Sequence, residues 1–409
     1  MIIRKIRPDE YKRCQEFCAL AFEYALEGAD KSPEQMLADV RERPRSRQHL
    51  YWDSQWAAFA DDDATMLSTM TVIPYTARFD GHDVPMTGIG GVATLPPYRR
   101  HGGIRACFER ALPAMHEEGA VLSYLYPFST VFYRKFGYEL GCSVRRWKIA
   151  LRGVPAGPVR GSWKLLERGC NLLKDIRQVD QPWQERYNCM VRCEEIEYAW
   201  VQEAHPFADR QYTYVYYGED GAAQGYVTYR PVMDEGDRAL ECLRFVFTGP
   251  SGFRGLMALL LSLSADHSHV ILTLPDEIDL SGLLPEWSFG FVSCQHQLRG
   301  MARVINAGRA LRLARMRGAG RLVLEIADAQ IPPNNGRFAV AFAPGRENAV
   351  SRTDDPPDIR LGIESLTRLL LGRHDVQDIP WLPDVQMLCS PERASPVFYK
   401  KPMFISQFF

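Results

Sequence analysis

No run in this 409-residue sequence is apolar for long enough to cross a bilayer. The longest, near Met257 to Ala265, falls well short of the ~20 residues a spanning helix needs. The opening segment, MIIRKIRPDEYKRC, has no apolar core of the kind a signal peptide carries. The two absences together set the expectation of a cytoplasmic protein without a membrane partner. Charge of one sign is missing too. Lys and Arg number 49 against 50 Asp and Glu, a net charge of −1, so no global basic field argues for nucleic acid. Paired C-x-x-C spacing is absent. The ten cysteines (14, 18, 107, 142, 170, 189, 193, 242, 294 and 389) are scattered. Cys14/Cys18 and Cys189/Cys193 are i,i+4 pairs, yet neither has a second pair or histidines at metal-ligand spacing. Buried free thiols and no metal are the expectation. What is present, 46% apolar and 24% charged residues, is the composition of a folded chain, and its length calls for two or three domains.

Periodicity gives an order of elements. Met1 to Ile6 reads as a short strand. Tyr11, Cys14, Phe17, Cys18, Ala21, Phe22 and Ala25 form a helical stripe, and a second helix spans about Pro33 to Arg41. Strand patterns follow at Trp56 to Ala60, Met66 to Phe79 and Val84 to Thr94, the last two joined by an Asp80-Gly81-His82 turn. A helix from about Gly103 to Glu118, a strand at Val121 to Tyr126, a short helix at Thr130 to Phe136 and a closing strand at Val144 to Leu151 complete an α+β unit. Gly153 to Pro158 reads as a boundary. Strands at Tyr212 to Tyr217, Gly225 to Pro231 and Ala239 to Phe247, a helix near Phe253 to Ser264 and a strand at Val270 to Leu274 repeat the layout, as from an internal duplication. A third unit begins near Met301. It has a strand at Met301 to Ile305, a helix over 306–316, strands around Gly320 to Ala327 and Arg337 to Ala343, a helix at Gly362 to Leu371, and a tail from Ser395 to Phe409.

One loop carries chemistry. In GGVATLPPYRRHGGIRACFERAL, residues 90–112, a strand hands over to a helix through two arginines and two glycines. A helix N-terminus has unpaired N–H groups and a partial positive charge. Glycines let those groups approach an anion, and arginines add bidentate donors. Arg99, Arg100, Gly102 and Gly103 therefore suit a pyrophosphate, although a solvated basic turn has the same composition. The Walker A pattern and G-x-G-x-x-G are absent, and an antiparallel lead-in is wrong for a dinucleotide fold. The counterpart in the second unit, FTGPSGFRGLMALL at 247–260, has Arg254 alone, so no coenzyme is expected there.

Arg-x-x-Gly-x-Ile after Val92-Ala93-Thr94, within this layout, resembles the coenzyme-A loop of the GNAT superfamily of acyl-CoA-dependent N-acyltransferases. Residues 129–138, STVFYRKFGY, resemble the helix and turn that put a tyrosine near the thioester sulfur. Length and the apolar Ile104 are similar to the enhanced-intracellular-survival (Eis) branch. That resemblance implies tandem GNAT folds at 1–152 and 153–299, the second degenerate, then a sterol-carrier-protein-like α/β domain at 300–409 whose terminus reaches the first active site. It further implies acetyl-CoA as co-substrate and a small-molecule or peptide amine as acceptor, with a homo-oligomer, a hexamer among the options. The cofactor residues it implies are Val92, Ala93, Thr94, Arg99, Arg100, Gly102, Gly103, Ile104, Arg105 and Ser129. Tyr133 becomes the acid for the leaving thiolate, and the Phe409 carboxylate the base.

Each role has a plainer alternative. Tyr133 can be one more half-buried aromatic, and Phe409 the end of an exposed strand. Yet Met403, Phe404, Ile405, Phe408 and Phe409 make a tail too apolar to leave in water. Glu23, Glu27 and Asp30 can attract a cationic acceptor or simply form an exposed face. Arg309, Arg312, Arg315 and Arg317 can meet an anionic partner or form a solvated helix face. A non-catalytic acyl-CoA-binding or lipid-carrier protein is the alternative function.

Overall fold

The computed structural model describes residues 1–152, 159–284, 288 and 290–409. The boundary expected at Gly153 to Pro158 lies outside the described residues. The chain divides into two packed units, one of residues 1–142, 188–192 and 299–409, the other of 143–187 and 193–298.

The first unit opens with β1 (Ile2–Lys5), α1 (Tyr11–Ala21), α2 (Pro33–Glu42) and the short α3 (Arg47–Leu50). Ser32 starts α2 with a capping box: its hydroxyl accepts from the Gln35 N–H, and the Gln35 side chain accepts from the Ser32 N–H. β2 (Gln55–Phe59), β3 (Met66–Phe79) and β4 (His82–Thr94) form an antiparallel meander beside β1. Asp80 and Gly81 join β3 to β4 with positive φ of 49° and 97°, as a two-residue I′ hairpin turn requires. α4 (Gly103–Glu117) then crosses over to β5 (Leu122–Leu125), parallel to β4, and α5 (Thr130–Arg134) follows. α4 buries Cys107, Phe108, Ala111, Leu112 and Met115 on one sheet face. α1 and α2 cover the opposite face with Tyr11, Cys14, Phe17, Met36 and Leu37. The two helical stripes read from the sequence thus fill the two sides of the sheet.

β6 (Glu139–Ala150) differs from expectation. Its residues 144–150 pair with β11 (His269–Pro275) in the second unit, instead of closing the first. The first sheet is completed by the end of β12 (Val292–Val304), whose Met301 to Val304 lie antiparallel to β5 and not in the third unit's sheet. Strand alternation fixes which face a residue occupies and says nothing about which neighbour pairs with it, so this exchange has no local signature.

The second unit also contains β7 (Ser162–Leu165), α6 (Leu173–Arg186), α7 (Ala199–Gln202), α8 (Pro206–Asp209), β8 (Tyr212–Tyr217), β9 (Ala223–Asp234), β10 (Asp237–Phe247) and α9 (Pro250–Leu261). Its antiparallel β7-β8-β9-β10 run, followed by α9 and by β11 parallel to β10, repeats the plan of the first. Asp180 of α6 is buried here and accepts from the Tyr226 hydroxyl at 2.7 Å.

The C-terminal part of the first unit comprises α10 (Ala307–Leu313), β13 (Gly320–Ala327), β14 (Gly336–Phe342), β15 (Ala349–Arg352), β16 (Ile359–Gly362), α11 (Ile363–Leu370), β17 (Val385–Met387) and α12 (Pro391–Ala394). Its five strands form a separate sheet in the order β15-β14-β13-β16-β17. Leu322, Leu324 and Ile326 of β13 share one core cluster with Ile73, Ala77 and Phe79 of β3, so this sheet shares a core with the meander.

The tail is fixed by a buried ion pair. The Lys401 ammonium meets Asp80 at 2.5 Å and donates to the Leu370 carbonyl at 3.1 Å, with only 4% and 5% of the two side chains exposed. Asp80 also accepts from the Asn188 amide at 3.0 Å and the Arg315 N–H at 2.8 Å. The Asn188 N–H donates to the Pro402 carbonyl, and the Phe404 N–H to the Asn188 carbonyl. Burial pushes the Lys401 ammonium below its ordinary value, and Asp80 opposes that shift.

Two predictions follow the buried charges. Lys401→Met strands the Asp80 carboxylate and should cost about 3 to 5 kcal/mol in urea unfolding, partly recovered in Asp80→Asn/Lys401→Met. A loss under about 1 kcal/mol would contradict the clamp. Burial pushes the Asp180 carboxyl up to about 6, so the folded chain holds that proton more tightly than the unfolded one. This favours folding at about pH 4, an advantage lost as pH rises through about 6. Asp180→Asn should therefore raise Tm at about pH 7.5 and leave it nearly unchanged at about pH 4; equal shifts at both would refute the assignment.

Candidate active site

β4 is the element on which the site is built. It pairs with β5 only from Met86↔Leu122 to Ile89↔Leu125; from Gly90 onward it has no β5 partner among the described residues. On its other side the register slips, with Thr71 opposite Gly90 but Thr69 opposite Ala93. Gly91 and Val92 together face Met70, a bulge for which Gly91 takes φ 57°. The part of β4 freed from β5 borders a cavity of about 660 Å³.

That cavity gathers most of the expected cofactor residues. Val92, Ala93 and Thr94 form one wall, and Arg99, Arg100 and Gly102 to Arg105 another. α4 begins there without a side-chain cap, from a left-handed Gly102 at φ 85°. Its first N–H groups thus face a site with three arginines and no carboxylate among its lining residues. Gly103 lets the helix approach β3: a Cβ there would lie 2.4 Å from the Ser68 hydroxyl, which itself bonds the Thr94 hydroxyl at 2.8 Å. Any side chain at Gly103 would therefore move the helix start.

Ser129 is not on the cavity wall; its hydroxyl accepts from the Phe132 N–H and caps α5. Tyr133 is buried one layer behind, its ring edge-on to Phe128 at 5.3 Å and Phe132 at 5.2 Å, and these two rings line the cavity. Burial raises the Tyr133 phenol above its ordinary value, which keeps it protonated at neutral pH. Its helix is held by Arg134, which donates twice to Glu139 at 2.9 Å, while Glu139 also receives Arg368 of α11.

The terminus comes to β4 on the side of Tyr75 and Ile73. The Phe409 carboxyl carbon lies 3.0 Å from where a Cβ on Gly90 would stand, and its ring 2.9 Å from a Cβ on Gly88. That ring packs against Tyr75, Tyr124 and Tyr126 at 5.3, 6.4 and 5.6 Å. The Tyr126 hydroxyl donates to the Gln407 carbonyl and steadies the last turn of chain. The carboxylate and the cavity therefore meet the same strand within four residues of each other, Gly90 to Thr94.

Sequence reasoning missed Ala21, Tyr98, Phe128 and Phe132, which together with Phe22 complete the cavity. It also missed Gly88 and Gly90, although glycines inside a strand signal a close approach by another backbone or ligand. Glu23, Glu27 and Asp30 are exposed and off the cavity wall, and Glu27 pairs with Arg45 at 3.2 Å. Of the arginines at 307–320, Arg309 donates to the Gly119 carbonyl and Arg317 stacks on Tyr399. In the second unit the cavity beside Arg254 also contains Arg160, Glu219 and Asp220, so it carries both signs of charge.

Two family models described as acetyltransferase (GNAT) domains match residues 2–141 and 189–304, and one described as a sterol carrier protein domain matches 307–405. This chain is a GNAT acetyltransferase. Its fold, α+β, is a tandem of GNAT domains with a sterol-carrier-like domain after them. No curated protein sequence matches it. Among solved structures it is similar to Eis1 from Mycobacterium abscessus, at 20% identity over the whole of both chains and a TM-score of 0.78. It is also similar to a GCN5-related N-acetyltransferase from Anabaena variabilis, at 18% identity over the whole of both chains and a TM-score of 0.82. A conserved protein of unknown function from Enterococcus faecalis, a probable N-acyltransferase, gives 21% identity, 100% and 99% coverage and a TM-score of 0.83. At such identities the shared property is the fold. GNAT acetyltransferases take acetyl-CoA as co-substrate, and the cavity's arginines and glycine-started helix fit its pyrophosphate. No helix among the described residues is long and apolar enough to cross a membrane.

Gly103→Ala should push α4 away from Ser68 and weaken coenzyme-A binding about tenfold or more by isothermal titration. Undiminished affinity would separate the cavity from the coenzyme.

Proposed function

We propose that the chain moves an acetyl group from acetyl-CoA to a primary amine in a single ternary complex, without a metal. Residues 1–152 form the catalytic domain, 153–299 a second acetyltransferase-like domain without coenzyme, and 300–409 the sterol-carrier-like domain that delivers the terminus. A cytoplasmic location belongs to the same reading, and so does a homo-oligomer, the latter carried over from the family. The observation that carries the reading is the meeting on β4 of an arginine-lined cavity and the Phe409 carboxylate.

Bound acetyl-CoA supplies a thioester, an activated acyl group. Arg99, Arg100 and the first N–H groups of α4 hold its pyrophosphate, in a pocket completed by Ile104 and Arg105. N–H groups of Val92 to Thr94, beyond the reach of β5, orient the arm and polarise the carbonyl. Holding donor and acceptor together supplies much of the rate. The Phe409 carboxylate takes a proton from the substrate ammonium, directly or through water, so that the nitrogen lone pair can attack. Tyr133 gives its phenolic proton to the departing sulfur. The support for Tyr133 is its place behind the cavity's aromatic wall, against Phe128 and Phe132; the support for Phe409 is its terminus lying against Gly90.

Tyr133→Phe should lower kcat by about 100-fold while coenzyme A still binds. Unchanged turnover would remove the acid assignment. A single glycine appended after Phe409 should also impair turnover, and full activity of that variant would count against the base.

A further inference from the structure

We propose that Tyr126 is a positioning residue for the transfer: through the Gln407 carbonyl, its hydroxyl sets where the Phe409 carboxylate stands over β4. This rests on the reading that the carboxylate receives the amine's proton.

The end of the chain changes character after Ile405. Lys401, Met403, Phe404 and Ile405 are buried, and Asn188 bonds the backbone of Pro402 and Phe404. Ser406 is exposed, Phe408 is 77% exposed, and Gln407 and Phe409 are half-buried. The Lys401–Asp80 pair thus delivers the tail but leaves its last four residues loosely covered. A chain end of this kind frays unless something local holds it. Here the Phe409 ring lies among Tyr75, Tyr124 and Tyr126, and the Tyr126 hydroxyl donates to the Gln407 carbonyl, two residues before the carboxylate. A hydrogen bond has a preferred length and angle, so it orients the Gln407–Phe408 peptide in a way that ring packing alone does not.

Tyr126 is itself a fixed point. It follows Leu125, the last residue of β5, which pairs with Ile89 of β4 and Met301 of β12. Its ring meets Tyr124 edge-on at 5.8 Å and packs on Phe408 at 4.6 Å. Tyr124 is fully buried; its hydroxyl donates to the Arg299 carbonyl and accepts from the Cys142 N–H at 3.3 Å. The residue that follows the parting of β4 and β5 is therefore the one that ties the carboxylate to that point. Burial raises the Tyr126 phenol above its ordinary value and keeps it a donor at neutral pH. Its proton is committed to the Gln407 carbonyl, so Tyr126 acts on the reaction through the chain end.

Tyr126→Phe keeps the ring and removes only the hydroxyl. Carboxypeptidase A should then release Phe409 from the folded chain about tenfold faster. In thiol release from acetyl-CoA with spermidine, tryptamine and kanamycin, kcat for every amine that the unmodified chain accepts should fall about tenfold, with KM for acetyl-CoA and Tm unchanged. In a chain carrying an extra glycine after Phe409, the same substitution should change the remaining kcat less than about twofold, because the carboxylate is already displaced. Unchanged release of Phe409 or unchanged kcat in Tyr126→Phe would overturn the proposal and leave the terminal base standing. So would a loss that comes with a lower Tm, or one that is equally large in the chain with the extra glycine. Full turnover of the glycine-extended chain with Tyr126 intact, or no release with any amine, would remove the base reading and this proposal with it.

Discussion

Much of the first unit depends on the carboxylate of Asp80. It sits at the tip of the β3–β4 hairpin and binds Asn188, the backbone of Arg315 and the ammonium of Lys401. Three segments distant in sequence are thereby tied to one turn. Left without Lys401, a charge this deeply buried would be expensive, so the tail is committed to this position. From Lys401 only eight residues remain to the terminus. They run back along the hairpin's own strands, and the chain ends where β4 parts from β5.

That constraint explains the glycines of β4. Gly88 and Gly90 admit the ring and carboxyl of Phe409, Gly91 makes the bulge, and Gly103 lets α4 close on Ser68. Each gives up side-chain packing that a strand or helix ordinarily profits from. The return is a strand that borders an arginine-lined cavity at Val92 to Thr94 and meets the terminal carboxyl at Gly90. A chain terminus offers a carboxylate without spending a side chain, but only if something prevents it from fraying. The Asp80–Lys401 pair and the Tyr126–Gln407 bond do so here.

The strands, the two helical stripes and the Arg99 to Gly103 turn that opens α4 were legible in the sequence, because alternation, 3.6-residue periodicity and glycine at a helix start are local signals. The resemblance to a known family added Tyr133 and the terminus. What stayed hidden depends on distant pairing. Lys401 and Asp80 are 321 residues apart, and neither has a neighbour that announces the other. The exchange that sends residues 144–150 to β11 and brings Met301 to Val304 beside β5 leaves each strand's own pattern unchanged. Nothing in the sequence beside Phe128 and Phe132 announces a cavity, and only the fold turns their rings toward one. Ser129 came from the resemblance of residues 129–138; its hydroxyl accepts from the Phe132 N–H at the start of α5.

The central claim is that a main-chain carboxylate at Gly90 acts on the acceptor. Semisynthesis of the full chain with a C-terminal carboxamide in place of the Phe409 carboxylate tests it most directly, since no side chain changes. The amidated protein should melt at the same temperature and bind coenzyme A equally well, yet turn over about 100-fold more slowly. Turnover equal to that of the unmodified chain, with folding and coenzyme binding intact, would contradict the account.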